Sequence, residues 1–237
     1  MLRLRQVAVV AADRDAITAR LHDAFGLDVA YHDPHIEQLD LVNAVIPVGD
    51  QFLEVIAPTK EGTTADRFRQ RQGGDAGYML IFQTDDHAAH RAAVDQLGVR
   101  VVADYSAEGF TNMQLHPADT GGTFFEIDQQ EGDDAWHPAG RDWQRAVRTD
   151  VVIGITAVMV RCHDPEAVAR RWGELLLRTP TTDGAGACHL DTDDAVVHFV
   201  PTPPDTREGI EQVTLTAADP DAAGAHVDIA GVRFELA

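Results

Sequence analysis

Basic residues are scarce: 19 Lys and Arg stand against 39 Asp and Glu in 237 residues, a formal net charge of −20. A chain this acidic repels a phosphate backbone, which argues against nucleic acid as a partner. Cysteine is scarcer still. Cys162 and Cys188 are the only two, too few for a multi-bridge framework and outside any Cys-x-x-Cys spacing, so both are expected reduced and structural. No apolar run approaches the ~20 residues of a membrane span. Met1-Leu2-Arg3-Leu4-Arg5 leads straight into a strand-like stretch, so the expectation is a cytoplasmic protein with no leader and no membrane partner. The eleven histidines form neither a His-Glu-x-x-His pattern nor a zinc-finger spacing. What is present is ordinary for a globular protein, 44% hydrophobic and 24% charged residues, and enough to bury a core.

The chain repeats itself, and repetition outranks local signals in deciding a fold. Gln6 to Ala12 is an apolar strand that runs into Asp13, a good helix N-cap. Ile17, Leu21, Ala24 and Phe25 then mark one helical face, Gly26 stops the helix, and Leu27 to Val29 reads as a second strand. The same sentence recurs from Met79 to Asp86, with a helix face of Ala89, Ala93, Val94 and Leu97, a stop at Gly98 and a strand over Val99 to Val102. A third copy runs from Ala157 to Asp164, with Pro165 at the first helical position and Val168, Trp172, Leu175 and Leu176 as its buried face. The fourth starts at Gln212, reaches Asp219, and shortens its helix to Pro220 through Ala225.

Further strands follow each helix: Asp40 to Val48 and Phe52 to Ala57 around the turn pair Gly49-Asp50, then Phe110 to His116 and Thr123 to Asp128 around Pro117 to Gly122. Ala187 to Asp191, Ala195 to Val200 and Val232 to Leu236 complete the set. The rhythm breaks at Gln129 to Asp150, a polar stretch with turn signals at Gly132-Asp133-Asp134 and Pro138-Ala139-Gly140. It holds Trp136 and Trp143, which a loose linker would not carry, so a packed connector with a short helix from Asp142 to Arg148 is expected. The predicted organisation is a first domain over 1–130, the connector over 131–150, and a smaller second domain over 151–237 with an abridged last unit.

Four strand–helix–strand–strand–strand units in pairs resemble the vicinal oxygen chelate superfamily. That group holds glyoxalase I, methylmalonyl-CoA epimerase, extradiol dioxygenases and the bleomycin and fosfomycin resistance proteins. The resemblance rests on the strand-Asp-helix-Gly repeat and on Phe52-Leu53-Glu54-Val55 and Thr123-Phe124-Phe125-Glu126-Ile127, which look like unit-ending strands. Ala65 to Arg71 before Gly73-Gly74 also resembles the inter-unit connection of the epimerases. The resemblance implies an α+β fold of tandem βαβββ units, paired into two cup-shaped, partly open β-barrels with helices outside and ligand inside.

It also implies a ligand set. The family's first-strand position, seven residues before the capping Asp, falls on Gln6 and Met79, and the last-strand positions fall on Glu54 and Glu126. Gln6, Glu54 and Glu126 are then the implied ligands of a divalent metal (Zn, Mn, Fe, Ni or Mg). Met79 is the departure, because a thioether suits none of the hard cations. Glu54, Glu126 and His116 are the implied catalytic residues. His116 closes the strand before the Pro117 turn, where it either bonds that turn through Asp119 or serves as ligand or base. The second half offers only Ala157, Gln212, Glu235 and either His198 or Phe199 at the matching corners, a supporting set. Two readings follow from the resemblance. One is a small-molecule enzyme of isomerase, lyase or dioxygenase type acting on an oxygenated or carbonyl substrate. The other is a metal-free protein that binds or sequesters a ligand, cationic drugs included. Arg67, Arg69 and Arg71 read as an exposed helix face or a contact for an anionic substrate group. Monomer and homodimer stand equally.

Overall fold

The computed structural model describes every residue except 108, 133, 134 and 183–186, so Asp133 and Asp134 of the connector's first turn signal lie outside the described residues. The chain is α+β, with two seven-stranded mixed sheets, each built from two repeats. The first repeat is β1 (Leu2–Val10), α1 (Arg14–Phe25), β2 (Leu41–Val48) and β3 (Gln51–Pro58); α2 (Thr64–Gln72) leads out of it. The second is β4 (Ala76–Thr84), α3 (His87–Gln96), β5 (Val101–Ala107), β6 (Phe110–Leu115), a single helical turn α4 (Pro117–Thr120) and β7 (Phe124–Gln130). The third is β8 (Val152–Cys162), α5 (Pro165–Leu176), β9 (Thr181–Thr182), β10 (Cys188–Asp191) and β11 (Val196–Pro201). The fourth is β12 (Gly209–Ala217), β13 (His226–Ile229) and β14 (Val232–Leu236). Strand order is β2-β3-β1-β4-β7-β6-β5 in one sheet and β13-β14-β12-β8-β11-β10-β9 in the other.

The repeated capping logic is realised atom by atom. Asp13, Asp86, Asp164 and Asp219 each accept a hydrogen bond from a backbone amide two or three residues on, which satisfies one of the donors that a helix start leaves free. Gly26 ends α1 in the left-handed conformation. Ile17, Leu21 and Phe25 are buried as the spacing requires, and Val168, Trp172, Leu175 and Leu176 are buried on α5. On α3 the buried residues are His90 and Val94, while Ala89, Ala93 and Leu97 are half-buried.

Several expected elements are corrected. Leu27 to Val29 is not a strand: the segment after it forms an isolated β-bridge, Tyr31 to Val45, and then turns into a 3₁₀ segment at Pro34–Leu39. The strand expected from Val99 begins at Val101, because the amide of Val99 still closes the end of α3 on the Val94 carbonyl. The fourth helix shrinks to a 3₁₀ turn at Pro220–Ala222, and the short connector helix is likewise 3₁₀, at Trp143–Ala146.

The residues fall into two compact units, one of Met1–Arg5, Met79–Ala135 and Ala157–Glu211, the other of Gln6–Tyr78, Trp136–Thr156 and Gln212–Ala237. The first thus carries most of the second and third repeats. Its core is aromatic: Trp172 of α5 stacks on Phe125 at 4.7 Å and meets Phe199 edge-on at 5.2 Å, while Phe82 packs edge-on to Phe125 at 5.1 Å. Two polar bonds fix that packing. The Trp172 indole donates to the Thr120 carbonyl at 2.9 Å, and Nδ1 of buried His90 pairs with the Leu175 carbonyl at 2.9 Å.

The other unit carries most of the first and fourth repeats and the connector. Phe25 meets Phe234 at 6.0 Å, and Phe52 lies between Trp136 (stacked, 6.3 Å) and Trp143 (edge-on, 5.0 Å). Both tryptophans of the connector are buried. Gly49 turns the β2–β3 hairpin at φ +64°, where a Cβ would sit 2.3 Å from the Ile153 carbonyl oxygen. Only glycine fits both the backbone angle and that approach. No helix is long and apolar enough to cross a membrane among the described residues.

Candidate functional site

Alternation along a strand decides which side chains share a face. On β7, Phe125 points to the helix side, where it meets Trp172. Phe124, Glu126 and Asp128 therefore point the other way. The register carries this face onto both neighbours. Met79, Ile81 and Gln83 of β4 stand opposite Phe124, Glu126 and Asp128, while Gln114 and Asn112 of β6 stand opposite Glu126 and Asp128. Two carboxyls and three amides thus share one face with Met79 and Phe124, all within one compact unit.

The first repeat builds its version in the other unit. There β3 places Glu54 opposite Ala8 of β1 and Val45 of β2. Both Glu54 oxygens accept amide donors, one from Gln6 Nε2 at 2.9 Å and one from Asn43 Nδ2 at 2.7 Å. Neither amide can reverse. Trp136 Nε1, which can only donate, holds Gln6 Oε1 at 2.9 Å, and the Asp33 backbone N–H holds Asn43 Oδ1 at 2.8 Å. All four side chains are buried.

That arrangement bears directly on the metal that the superfamily resemblance implies. A cation needs oxygen lone pairs, yet Gln6 offers its NH₂ toward Glu54 and spends its oxygen on an indole. Glu54 has an N–H on each oxygen. The donors as set do not fit a cation at the Gln6–Glu54 corner, and no step is routed through one. Met79 does not supply the missing corner: it is buried, and its Sδ lies 3.8 Å from Gln114 Nε2. Among the described residues no group of three or more His, Cys, Asp and Glu is placed to share an ion.

The second repeat is wired differently. Asn112 Nδ2 donates to Glu126 Oε1 at 3.2 Å, the counterpart of the Asn43–Glu54 bond. In place of a donating Gln, the other neighbour is a second carboxyl, Asp128, fully buried beside Glu126. Burial raises the Glu126 pKa, with the Asn112 bond partly opposing it. Asp128 is pushed well above the ordinary carboxylate range, first by burial and then by the neighbouring Glu126 charge. Two carboxylates in one dry site cannot both ionise. Asp128 is the more strongly raised of the two, which favours one proton on the pair over two ionised groups.

His116, the remaining expected residue, closes β6. Its Nδ1 accepts from the Ala118 amide at 3.1 Å, capping α4, and lies 3.2 Å from Arg100 Nη2. Asp119 holds Arg100 through bonds of 2.8 and 2.9 Å. This is the turn-bonding arrangement that includes Asp119. Nδ1 is occupied and the neutral tautomer carries its proton on Nε2. Arg69 reaches Asp75 at 3.5 Å, and Arg67 donates to the Gly62 carbonyl.

Sequence reasoning missed Asn43, Asn112, Asp128 and Gln83. One signal was available: Asp128 lies two residues beyond Glu126, hence on the same face. The asparagines could be placed only once the hairpin registers were known.

Residues 7–176 match the family described as the glyoxalase-like domain. No protein of curated function matches the chain in sequence. Among solved structures, a hypothetical protein from Staphylococcus aureus is similar over 100% of this chain and 99% of its own, with a TM-score of 0.77 at 13% identity. A methylmalonyl-CoA epimerase from Streptomyces coelicolor is similar over 55% of this chain and 98% of its own, at 22% identity and a TM-score of 0.49. The Mycobacterium tuberculosis epimerase covers 54% of this chain and 88% of its own at 21% identity, TM-score 0.47.

Proposed function

The chain belongs to the glyoxalase-like domain family, within the vicinal oxygen chelate superfamily, and from that premise we propose that it is a small-molecule enzyme of isomerase or lyase type that moves a proton on an oxygenated or carbonyl substrate. The observation that carries the reading is the buried Glu126–Asp128 pair, two carboxyls on one strand face whose pKa values are both raised by burial. A general base works best when its pKa approaches the working pH, and burial moves Glu126 in that direction. Ionised Glu126 accepts a proton from carbon next to a carbonyl. Asp128, already protonated, stabilises the charged form of Glu126 by hydrogen bonding and supplies the neutral partner that keeps the pair singly charged. Asn112 fixes the Glu126 carboxyl in orientation. Glu54, held by Gln6 and Asn43, is the corresponding carboxylate of the first repeat. On this reading residues 1–130 carry the chemistry and 151–237 support it.

The test is deuterium incorporation from D₂O into a panel of small carbonyl compounds, followed by proton NMR. Wild type is expected to exchange at least one class. Glu126→Gln is expected to lose about a hundredfold or more of that rate, the scale of a general-base contribution. Unchanged exchange in Glu126→Gln overturns the reading.

A second reading, capture of a cationic molecule without turnover, is supported by the net charge of −20 and by unpaired acceptor oxygens beside Asp128. It is separated by the same assay, since a binder gives no exchange with any compound.

A further inference from the structure

Beside the carboxyl pair lies a row of oxygens that lack donors. Gln83, Asp128 and Asn112 stand directly opposite one another on three adjacent strands, β4, β7 and β6, and share one face. Gln83 Oε1, Asn112 Oδ1 and both Asp128 oxygens are buried and meet no conventional hydrogen-bond donor among the described residues. Gln83 is 7% exposed and Asp128 0%. Asn112 cannot turn its oxygen away, because its NH₂ is committed to Glu126 Oε1, and a carboxylate takes only donors. These acceptors belong to three side chains on three strands, none with a donor in hydrogen-bond geometry among the described residues. Native proteins seldom bury even one such group without a partner, and these three share a single row.

The geometry points to a subsite at Gln83, Asn112 and Asp128 that receives the primary ammonium group of a substrate. An alkylammonium has three N–H donors, one for each of the three side chains, and a positive charge to balance the acidic pair beside the row. A hydroxyl has one donor and no charge, so it leaves acceptors unpaired. Asn112 and Gln114, at the β6 side of the row, are half-buried rather than sealed. The inference rests on the proton-transfer reading for its catalytic meaning: an ammonium held here places the neighbouring carbon beside Glu126. It predicts a substrate that carries an amino group close to its carbonyl.

The test is binding, with no turnover, of propylammonium chloride to the full chain, followed by calorimetry, with 1-butanol as the neutral analogue of similar size. Wild type is expected to bind propylammonium saturably and at least tenfold more tightly than butanol. Gln83→Leu is expected to weaken it at least tenfold. Removing an acceptor that has no donor does not harm the empty protein, so Gln83→Leu should melt no lower than wild type in the absence of amine, and a loss of binding then reports the subsite rather than unfolding. Asn112→Leu provides a second variant. Absence of saturable binding by wild type, equal binding of butanol, undiminished binding by both variants, or displacement of propylammonium by Mg²⁺ at equal concentration would each overturn the assignment. Failure of the catalytic reading looks different: Glu126→Gln would then leave deuterium exchange untouched while amine binding is retained.

Discussion

Asn43 and Asn112 occupy the same place in successive repeats, each on the strand before the unit-ending strand and each donating its side-chain amide to the carboxyl of that strand, Glu54 at 2.7 Å and Glu126 at 3.2 Å. Duplication has kept the asparagine–glutamate pair and changed what surrounds it. In the first repeat a second amide, Gln6, completes the clasp. In the second, Met79 stands where Gln6 stood, and Asp128 stands where Ile56 does. The same strand position is thus a carboxylate held by donors in one repeat and half of a buried carboxyl pair in the other.

Because charged hydrogen bonds inside a protein contribute about 1.5–3 kcal/mol, Asn43→Ala is expected to lower unfolding free energy by about that amount. In a Glu54→Gln background the same change should cost less. Denaturant titration of the four proteins in the double-mutant cycle reads the coupling, and full additivity would contradict the clasp.

The raised pKa of Asp128 fixes the sign of a pH effect. A carboxyl whose folded pKa lies above its unfolded value contributes fully below the unfolded pKa, and that contribution is lost as pH rises toward the folded pKa. Asp128→Asn is neutral at every pH. Its stability relative to wild type is therefore expected to increase from about pH 4 upward, toward the raised pKa of Asp128. Melting temperatures across that range check it; a difference that does not change with pH would count against the buried neutral carboxyl.

His90 acts in the opposite direction. Burial lowers its pKa below the ordinary 6.5, with the Leu175 carbonyl bond partly opposing. The unfolded chain therefore binds a proton more readily, and stability falls as pH drops below about 6.5 toward the depressed value. His90→Gln should show a shallower loss between neutral and mildly acidic pH than wild type. An identical slope would show that the histidine does not titrate in that window.

Cys162 gives a chemical check on the core. Burial, aided by Glu208 and Asp164, raises its thiol to about 12, and thiolate is the reactive form. At about pH 8 the folded protein is expected to leave Cys162 unmodified by a disulfide exchange reagent, while protein unfolded in guanidinium reacts fully. Rapid labelling of folded protein at Cys162 would contradict the packing.

Much of the fold was legible because its signals are local. An Asp that caps a helix, a Gly that ends it and an apolar face between them need no tertiary information, and all four capping aspartates do what their positions suggest. Edge elements were not legible. Leu27 to Val29 alternates like a strand but lacks a ladder beyond the Tyr31 bridge, and β13, His226-Val227-Asp228-Ile229, is too polar and short to stand out before its pairing with β14 is known. The candidate site was half legible. Glu54 and Glu126 interrupt apolar strands and could be singled out at once, but their partners come from across a hairpin. Register across the two-residue turn at Gly49-Asp50 is nearly fixed by the turn itself, whereas Pro117 to Gly122, which folds into α4, leaves Asn112 and Gln114 unplaced until the structure is in hand.

The most direct test of the account is a carbon-13 NMR titration of side-chain carboxyls with Asp128→Asn and Glu126→Gln to assign the signals. A neutral Asp128 at neutral pH, whose titration shifts when Glu126 is neutralised, is the predicted result. Two independent carboxylates, both ionised well below neutral pH, would contradict it.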